Sequence, residues 1–189
     1  PMSGEKNPSY SMVSGSGEKP AVICCQANSS RGLGEISQWA VLTGDDSLYQ
    51  NYYGRSNITT KTPKGNRITI SQTTDYPVSG KIGIKLEMEQ SESFTYRLRI
   101  PSWTKNATVT FNGQVSKAVS GKYFDLKSEF KNGDVIEIDI PLSVHYLLGE
   151  NEKSGKASVY YGPILLTLDD GYTPDYLNGT TVFDTDGLE

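Results

Sequence analysis

The chain of 189 residues is poor in the side chains from which many metal and redox sites are built. It has two cysteines, Cys24 and Cys25, and a single histidine, His145. The adjacent cysteines exclude a disulfide framework, because neighbouring Cα atoms lie about 3.8 Å apart and a disulfide favours about 4.4–6.8 Å. The histidine stands alone in an alternating, strand-like stretch. Because metal and acid–base sites need partner groups nearby, His145 is predicted to be a packed or surface residue.

Charge and hydropathy exclude further classes of protein. The net charge is −4 and no block of basic residues occurs, so nucleic acid is not expected as a partner. No apolar run approaches the roughly 20 residues that a membrane span needs. Residues 1–20 are polar and rich in Gly and Ser, unlike a signal peptide with its apolar centre. The compartment stays open between the bacterial cytoplasm, the periplasm and the exterior.

A two-residue alternation of apolar and polar side chains fills most of the chain, and it predicts strands. In residues 81–88 Ile82, Ile84 and Leu86 share one face, while Lys85 and its polar neighbours take the other. The predicted strands are 48–53, 67–73, 81–88, 94–100, 107–111, 123–126, 135–140, 143–148 and 157–168. Turn residues such as Asn112-Gly113 separate them. The pattern indicates a mainly β protein, an antiparallel β-sandwich or jelly roll.

One helix is predicted before the strands. Asn28 or Ser29 is a suitable N-cap, and the three- and four-residue spacing of apolar residues from Leu33 through Trp39 predicts a helix that continues to Leu42. Trp39 is predicted to lie in a core. Gly32 and Gly34 weaken such a helix, so a packing reason is expected for them. Arg31 either binds a sugar or phosphate or bridges the helix to the sandwich.

The cysteine pair and two carboxylate pairs are the candidates for chemistry. Two successive thiolates can bind one soft metal ion, or one can act as a nucleophile beside a metal. Alternatively, Cys24 and Cys25 are simply buried free thiols. The carboxylate pairs 45–46 and 169–170 sit in glycine-containing turns, where Asp usually serves backbone hydrogen bonds rather than calcium.

An ordered series of short motifs resembles glycoside hydrolase family 127, the β-L-arabinofuranosidase family. The motifs are the double cysteine with Asn28 and Arg31, the strand 46–53, Thr73-Thr74-Asp75-Tyr76-Pro77-Val78-Ser79-Gly80, Leu98-Arg99-Ile100-Pro101-Ser102-Trp103, Phe111-Asn112-Gly113, Asn132-Gly133-Asp134 and Tyr161-Gly162-Pro163-Ile164-Leu165. Together they cover about residues 21–168.

The resemblance implies a helical (α/α)₆ barrel followed by β-sandwich domains, and retaining hydrolysis by a cysteine held on zinc. Cys24 matches the nucleophile and a zinc ligand, and Cys25 matches a second zinc ligand. The family's remaining ligands, a glutamate and a third cysteine, and its acid/base glutamate belong to the region before the double cysteine. Only 23 residues precede it in this sequence, and Glu5 and Glu18 lack any supporting pattern.

The sequence therefore predicts three segments. Residues 1–45 are expected to be the end of a catalytic barrel, 46–168 a β-sandwich, and 169–189 an irregular segment. The chain is predicted to be the carboxyl-terminal fragment of a glycoside hydrolase acting on arabinofuranosyl or related glycans. Its partners would be the missing barrel and carbohydrate. Alone it is predicted to be inactive, with zinc absent or weakly bound.

Two rival interpretations remain open. One is a non-catalytic carbohydrate-binding or structural sandwich, in which the cysteines no longer serve catalysis. The other is thiol redox chemistry or metal storage. The second is disfavoured because the sequence has no CxxC and no basic residue beside the pair that would lower a thiol pKa.

Overall fold

A computed structural model describes residues 24–151 and 154–167, with the backbone alone described for residues 24–27, 29 and 30. The elements are α1 (Cys24–Trp39), β1 (Val41–Thr43), β2 (Ser47–Gln50), β3 (Ser56–Lys61), β4 (Arg67–Thr74), β5 (Lys81–Met88), β6 (Glu92–Arg99), β7 (Thr108–Phe111), β8 (Gln114–Lys117), β9 (Tyr123–Phe130), β10 (Val135–Asp139), β11 (Val144–Leu148), β12 (Ala157–Tyr161) and β13 (Ile164–Leu166). The amino-terminal loop and the irregular tail predicted for 169–189 lie outside the described residues.

Helix α1 begins earlier and ends earlier than predicted. It starts at Cys24 rather than near Asn28, and it stops at Trp39. Residues 41–43 form a strand instead, because the β-branched Val41 and Thr43 favour an extended backbone and Val41 pairs with Gln50 of β2. Trp39 is 48% exposed, so the prediction of a core position is wrong. Among the described residues, a Cβ atom at Gly32 or Gly34 would meet no atom within 4 Å, so this part of the chain supplies no packing reason for those glycines.

The strands from β1 to β10 form two sheets. The first has the order β1-β2-β6-β9 and the second the order β3-β4-β5-β10-β7-β8. Pairing is antiparallel throughout both sheets except between β2 and β6, which are parallel. The mainly β fold with antiparallel sheets and one preceding helix is confirmed. The parallel pair was not foreseen, because nothing in the alternation of a strand specifies the direction of its neighbour.

The alternating side chains of both sheets build one core. Phe111 of the second sheet contacts Phe130 of the first at a ring-centroid distance of 5.6 Å, which joins the two layers. The core members are Val41, Leu48, Ile68, Ile70, Ile82, Ile84, Leu86, Met88, Phe94, Tyr96, Leu98, Val109, Phe111, Phe130, Ile136, Ile138 and Ile140. The fully buried Tyr96 hydroxyl donates to Gln50 Oε1 at 2.7 Å, so its polar atom is satisfied inside the core.

Strand positions agree closely with the periodicity where apolar residues alternate clearly. β5 spans the predicted residues 81–88, and β10 differs from its prediction by one residue. Strands β1, β3 and β8 were missed. β3 reads Ser-Asn-Ile-Thr-Thr-Lys and carries one large apolar residue, so its hydrophobic period is too weak to detect. It lies at an edge of the second sheet and is held there by antiparallel pairing with β4.

The turn predicted at Asn112-Gly113 is confirmed. It joins β7 to β8, with Phe111 paired to Gln114, and both turn residues have positive φ angles of 50° and 76°. Two consecutive positive φ angles define the hairpin turn that matches strand twist.

Strands β11–β13 form a separate third sheet in that order. It is linked to the sandwich by ring stacking, since His145 lies between Trp103 at 6.1 Å and Tyr160 at 5.3 Å, with interplanar angles of 7° and 13°. His145 is half-buried in this stack, which agrees with its predicted packing role. No helix within the described residues is both long and apolar enough to span a bilayer.

Candidate functional site

The structure places Cys24 and Cys25 in the first turn of α1. Their side chains lie outside the described atoms, so the roles assigned to them stay predictions.

Zinc needs about four protein ligands in a structural site and about three in a catalytic one. Among the described side chains no group of three or more His, Cys, Asp or Glu residues is arranged to hold a metal ion. The described part of the chain does not fit a complete zinc centre, and any such centre would require ligands from elsewhere.

A polar and aromatic patch occupies the outer face of the first sheet. Strand pairing aligns Tyr49, Arg97 and Asp125 across β2, β6 and β9. The Arg97 guanidinium donates to the Tyr49 hydroxyl, lies 5.0 Å from its ring centroid and forms an ion pair with Asp125 at 3.4 Å. Tyr123 packs edge-on against Tyr49 at 5.5 Å and donates to Asn51 Oδ1 at 2.5 Å. We call these five residues the tyrosine patch.

The tyrosine patch combines aromatic ring surface with hydrogen-bonding groups, and this combination is suited to contact with carbohydrate. Tyr123 is 42% exposed, and Asp125 is 46% exposed at its side chain. Amphipathic rings of this kind are suited to partners that are apolar on one side and polar on the other. The internal hydrogen bonds hold Arg97 and Tyr49 in place, so the surface is rigid before any ligand arrives.

A depression of about 540 Å³ opens beside the turn between β3 and β4. Its lining residues are Asp45, Asp46, Pro63, Lys64, Ser93, Phe94, Thr95, Lys127 and Ser128. The carboxylate pair 45–46 thus lies at a mixed-charge surface and not in an arrangement of metal ligands. The Asp46 carbonyl accepts a hydrogen bond from the Thr95 backbone at 3.0 Å, which fits the predicted structural role of this turn.

The turn that lines this depression is held by one buried carboxylate, Glu92. Its Oε2 accepts from Thr62 Oγ1 at 2.6 Å and Asn66 Nδ2 at 2.8 Å, and its Oε1 accepts from the Lys64 backbone at 3.1 Å. Burial alone raises the pKa of Glu92, but these hydrogen bonds and the Lys64 charge outweigh burial and hold the pKa below 4.5. Glu92 therefore stabilises the fold in its ionised form.

Glu92→Gln is expected to lower the free energy of unfolding at pH 7 by about 1.5–3 kcal/mol, the usual range for hydrogen bonds to a charged group. Because the folded pKa is lowered, the contribution is complete above the unfolded value of 4.5 and is lost as the pH falls through the folded pKa. Urea denaturation between pH 7 and pH 3 measures the effect, and the gap between variant and wild type should narrow at the acid end.

The exposed Glu89 provides a matched control for this experiment. Glu89→Gln removes the same charge three residues away and should change stability by less than about 0.5 kcal/mol. If the free energy of unfolding of Glu92→Gln stayed below that of the wild type by the same amount down to pH 3, stabilisation by the ionised carboxylate would be contradicted.

The Thr-Asp-Tyr-Pro motif forms a compact turn between β4 and β5. Thr74 Oγ1 accepts from the Tyr76 backbone at 2.9 Å and donates to the Lys81 carbonyl at 2.7 Å. Asp75 pairs with Arg55 at 2.7 Å, with both side chains largely exposed. The Tyr76-Pro77 bond is cis. The motif accordingly has a structural explanation, and its Gly80 lies directly against the end of β10.

Sequence reasoning missed Glu92 and Arg97 as organising residues. Arg97 lies in the predicted strand 94–100, whereas Glu92 lies two residues before it, in the part of β6 that was not predicted. Neither charged residue gives a local sign of the contacts that it makes. The match between Glu92 and the 62–66 turn depends on the pairing of distant segments, so periodicity could not have found it. Arg31 is exposed on α1, and nothing in the described residues decides between its two predicted roles.

Comparison with known proteins gives three findings. Residues 47–142 match a family model described as beta-L-arabinofuranosidase, GH127 middle domain. Among solved structures, a glycoside hydrolase is similar with 28% identity and a TM-score of 0.69, and Ara127N, a GH127 beta-L-arabinofuranosidase from Geobacillus stearothermophilus T6, with 28% identity and a TM-score of 0.68. A third, described as a GH127 beta-arabinofuranosidase, has 25% identity and a TM-score of 0.68. Comparison with curated protein sequences finds no match.

Each of these similarities covers 77% of this chain but only 24–26% of the solved protein. This chain thus corresponds to about a quarter of such proteins.

Proposed function

This chain belongs to the β-L-arabinofuranosidase family GH127, and we propose that it is part of a glycoside hydrolase that acts on arabinofuranosyl links. The observation that carries the proposal is the match of the sandwich, residues 47–142, to the family's middle domain together with the double cysteine that precedes it. The family expected from the sequence motifs is the one found.

In this proposal Cys24 is the nucleophile and a zinc ligand, and Cys25 is a second zinc ligand. The support is chemical, since a thiolate is a capable nucleophile. When bound, zinc would keep the thiols deprotonated. The acid/base group that retaining hydrolysis also requires would come from the helical barrel.

The isolated chain is expected to be inactive, because its proposed nucleophile would lack an acid/base partner and half of its metal ligands. The test is release of nitrophenol from a nitrophenyl arabinofuranoside by the 189-residue chain and by the full-length protein that contains it. The full-length protein should hydrolyse the substrate and bind about one zinc ion, whereas the chain alone should do neither. Activity of the isolated chain that disappears in Cys24→Ala would refute the expectation of inactivity.

A second candidate function, a non-catalytic carbohydrate-binding sandwich, is favoured by the tyrosine patch. Calorimetric titration of the chain with arabinan oligosaccharides tests it. If the patch binds sugar, Tyr123→Ala should weaken binding about tenfold or more. The variant loses the stacking of one sugar ring on the Tyr123 ring, a contact worth on the order of 1.4 kcal/mol. Cys24→Ala should leave the affinity unchanged. Absence of measurable heat with every oligosaccharide would remove this candidate.

A further inference from the structure

A depression of about 500 Å³ lies on the outer face of the second sheet. Ile82 and Ile84 of β5 point into the core, so Gly83 between them faces outward. Residues paired across neighbouring strands share a face, and Gly83 thus belongs to an outward row across β4, β5, β10, β7 and β8: Thr73, Gly83, Glu137, Thr110 and Val115. Gly83 is the position in this row that has no side chain. We call the gap over Gly83 the glycine notch.

The row of residues next to the glycine notch is charged. It consists of Lys81, Asp139, Thr108 and Lys117, paired across β5, β10, β7 and β8. With Glu137 of the first row, the two rows carry two lysines and two carboxylates, so their formal charges cancel. Within the described part of the chain these four charged side chains form no ion pair. Their polar atoms are therefore free to hydrogen-bond a ligand.

The backbone does not require glycine at position 83. A Cβ atom there would meet only the Thr73 carbonyl oxygen, at 3.7 Å, and the residue has no positive φ angle. Gly80 differs, because a Cβ atom there would lie 1.8 Å from the Ile140 oxygen. Glycine inside a strand weakens it and commonly marks a bulge or the close approach of a ligand or another backbone. β5 pairs without interruption on both sides of Gly83, which excludes a bulge, and no further backbone of the described residues lies over the Cβ position. These observations favour a ligand.

We propose that the glycine notch is a binding site for a neutral oligosaccharide, with one sugar ring seated over Gly83. The carboxylates of Glu137 and Asp139 accept hydrogen bonds from sugar hydroxyl groups, and the Lys81 ammonium donates to a sugar oxygen. The absence of a side chain at Gly83 lets the ring come close enough to the sheet for these contacts. The site goes beyond the hydrolase function, and only the choice of arabinan as a probe rests on that function.

The lining of the depression favours a neutral, hydroxyl-rich ligand over other classes. Three hydroxyl groups that can each donate or accept a hydrogen bond line it, those of Thr73, Thr108 and Thr110. An anion would be repelled by the two carboxylates and a cation by the two lysines of these rows, so a charged ligand gains little net attraction. The lining residues Ile82 and Ile138 are buried, so an apolar ligand finds little surface. The volume falls within the range of about 300–1,000 Å³ that is typical of small-molecule sites.

NMR titration of backbone amides tests the proposal, because it resolves this site from the tyrosine patch on the other sheet. The 189-residue chain is titrated with a neutral arabinan oligosaccharide, with an anionic oligogalacturonide and with trilysine. The Thr110 amide should shift saturably with the arabinan oligosaccharide, and at lower concentration than with either charged probe. Absence of a saturable shift with the arabinan oligosaccharide, or tighter binding of a charged probe, would overturn the proposal.

Three variants assign the binding to the glycine notch. Gly83→Val fills the notch, and the affinity read at the Thr110 amide should fall at least about tenfold. Its melting temperature should equal or exceed that of the wild type, because valine favours an extended backbone more than glycine does. Glu137→Gln should weaken binding about tenfold by removing a charged acceptor. Glu87→Gln, which removes an outward carboxylate of β5 outside the depression, should leave the affinity within about twofold.

Unchanged affinity in Gly83→Val would overturn the proposal. If that variant failed to fold, unchanged affinity in Glu137→Gln would overturn it instead.

A labelling experiment determines whether the site is open in a full-length protein that contains this chain. Val115 lines the depression and is 65% exposed, so Val115→Cys should react with a maleimide. The experiment uses the Cys24→Ala background, which keeps the oligosaccharide intact, and mass spectrometry reads the peptide that contains position 115. The arabinan oligosaccharide should slow the reaction several-fold. No reaction, or no protection by the oligosaccharide, would overturn the proposal. None of these experiments measures hydrolysis, so failure of this proposal is distinguishable from failure of the proposed activity.

Discussion

Cys24→Ala in the full-length protein is expected to lower kcat/KM for a nitrophenyl arabinofuranoside by about 10⁴-fold or more, the scale observed when a catalytic nucleophile is removed. The reason is that the proposed covalent intermediate cannot form without the thiolate. Steady-state kinetics measures the loss. Mass spectrometry of the denatured enzyme, quenched during turnover, should show a pentosyl adduct on the peptide containing Cys24 and none in the variant.

Two companion variants separate the nucleophile from a structural role. Ser37→Ala changes an exposed residue of the same helix, whose hydroxyl donates to the Gly34 carbonyl at 3.0 Å, and should retain activity within about twofold. Cys25→Ala should reduce bound zinc and activity together, while any residual turnover still forms the adduct on Cys24. Full activity of Cys24→Ala would remove the proposed role of this residue.

Gly80→Ala is expected to destabilise the sandwich by at least about 3 kcal/mol, at the upper end of the cost of overpacking. A Cβ atom at Gly80 would lie 1.8 Å from the backbone oxygen of Ile140 and 2.7 Å from its carbonyl carbon. The two segments are joined by the Ile140 N–H, which donates to the Gly80 carbonyl at 2.9 Å. Ile140 is buried in the core, so neither backbone can retreat without disturbing the pairing of β5 with β10.

Thermal denaturation measures this effect, and the melting temperature should fall by about 6–12 °C for a chain of this size. Gly54→Ala is the matched control. A Cβ atom there meets no atom within 4 Å and the residue has no positive φ angle, so its stability should change by less than about 0.5 kcal/mol. If the two variants were equally stable, close backbone approach would not explain the glycine of the Thr-Asp-Tyr-Pro-x-x-Gly motif.

The motif that contains Gly80 illustrates how far the sequence could lead. The string from Thr73 to Gly80 pointed to a family, and that family is confirmed. The string did not disclose why glycine ends it. The cause is the backbone of Ile140, which is 60 positions away in the chain. A motif can thus be recognised before its physical basis is known.

Helix α1 shows a different limit. Its apolar spacing predicted a helix correctly, but both predicted ends were wrong by several residues. The end of the helix depends on whether the residues that follow it pair with another strand. Val41 joins a strand because Gln50 is available as a partner. The zinc site, the nucleophile and the domain boundaries at 45 and 168 are still predictions.

The sequence by itself determined the positions of most strands, the hairpin at Asn112-Gly113 and the family, because alternation, turn residues and motifs are local properties of the chain. Only the tertiary structure decided the parallel pairing of β2 with β6, the anchoring of the 62–66 turn by Glu92 and the stacking of His145 between Trp103 and Tyr160. Each of these depends on which distant segments lie side by side. Local periodicity predicts which side chains share one face of a strand. It does not predict which distant residues those side chains contact.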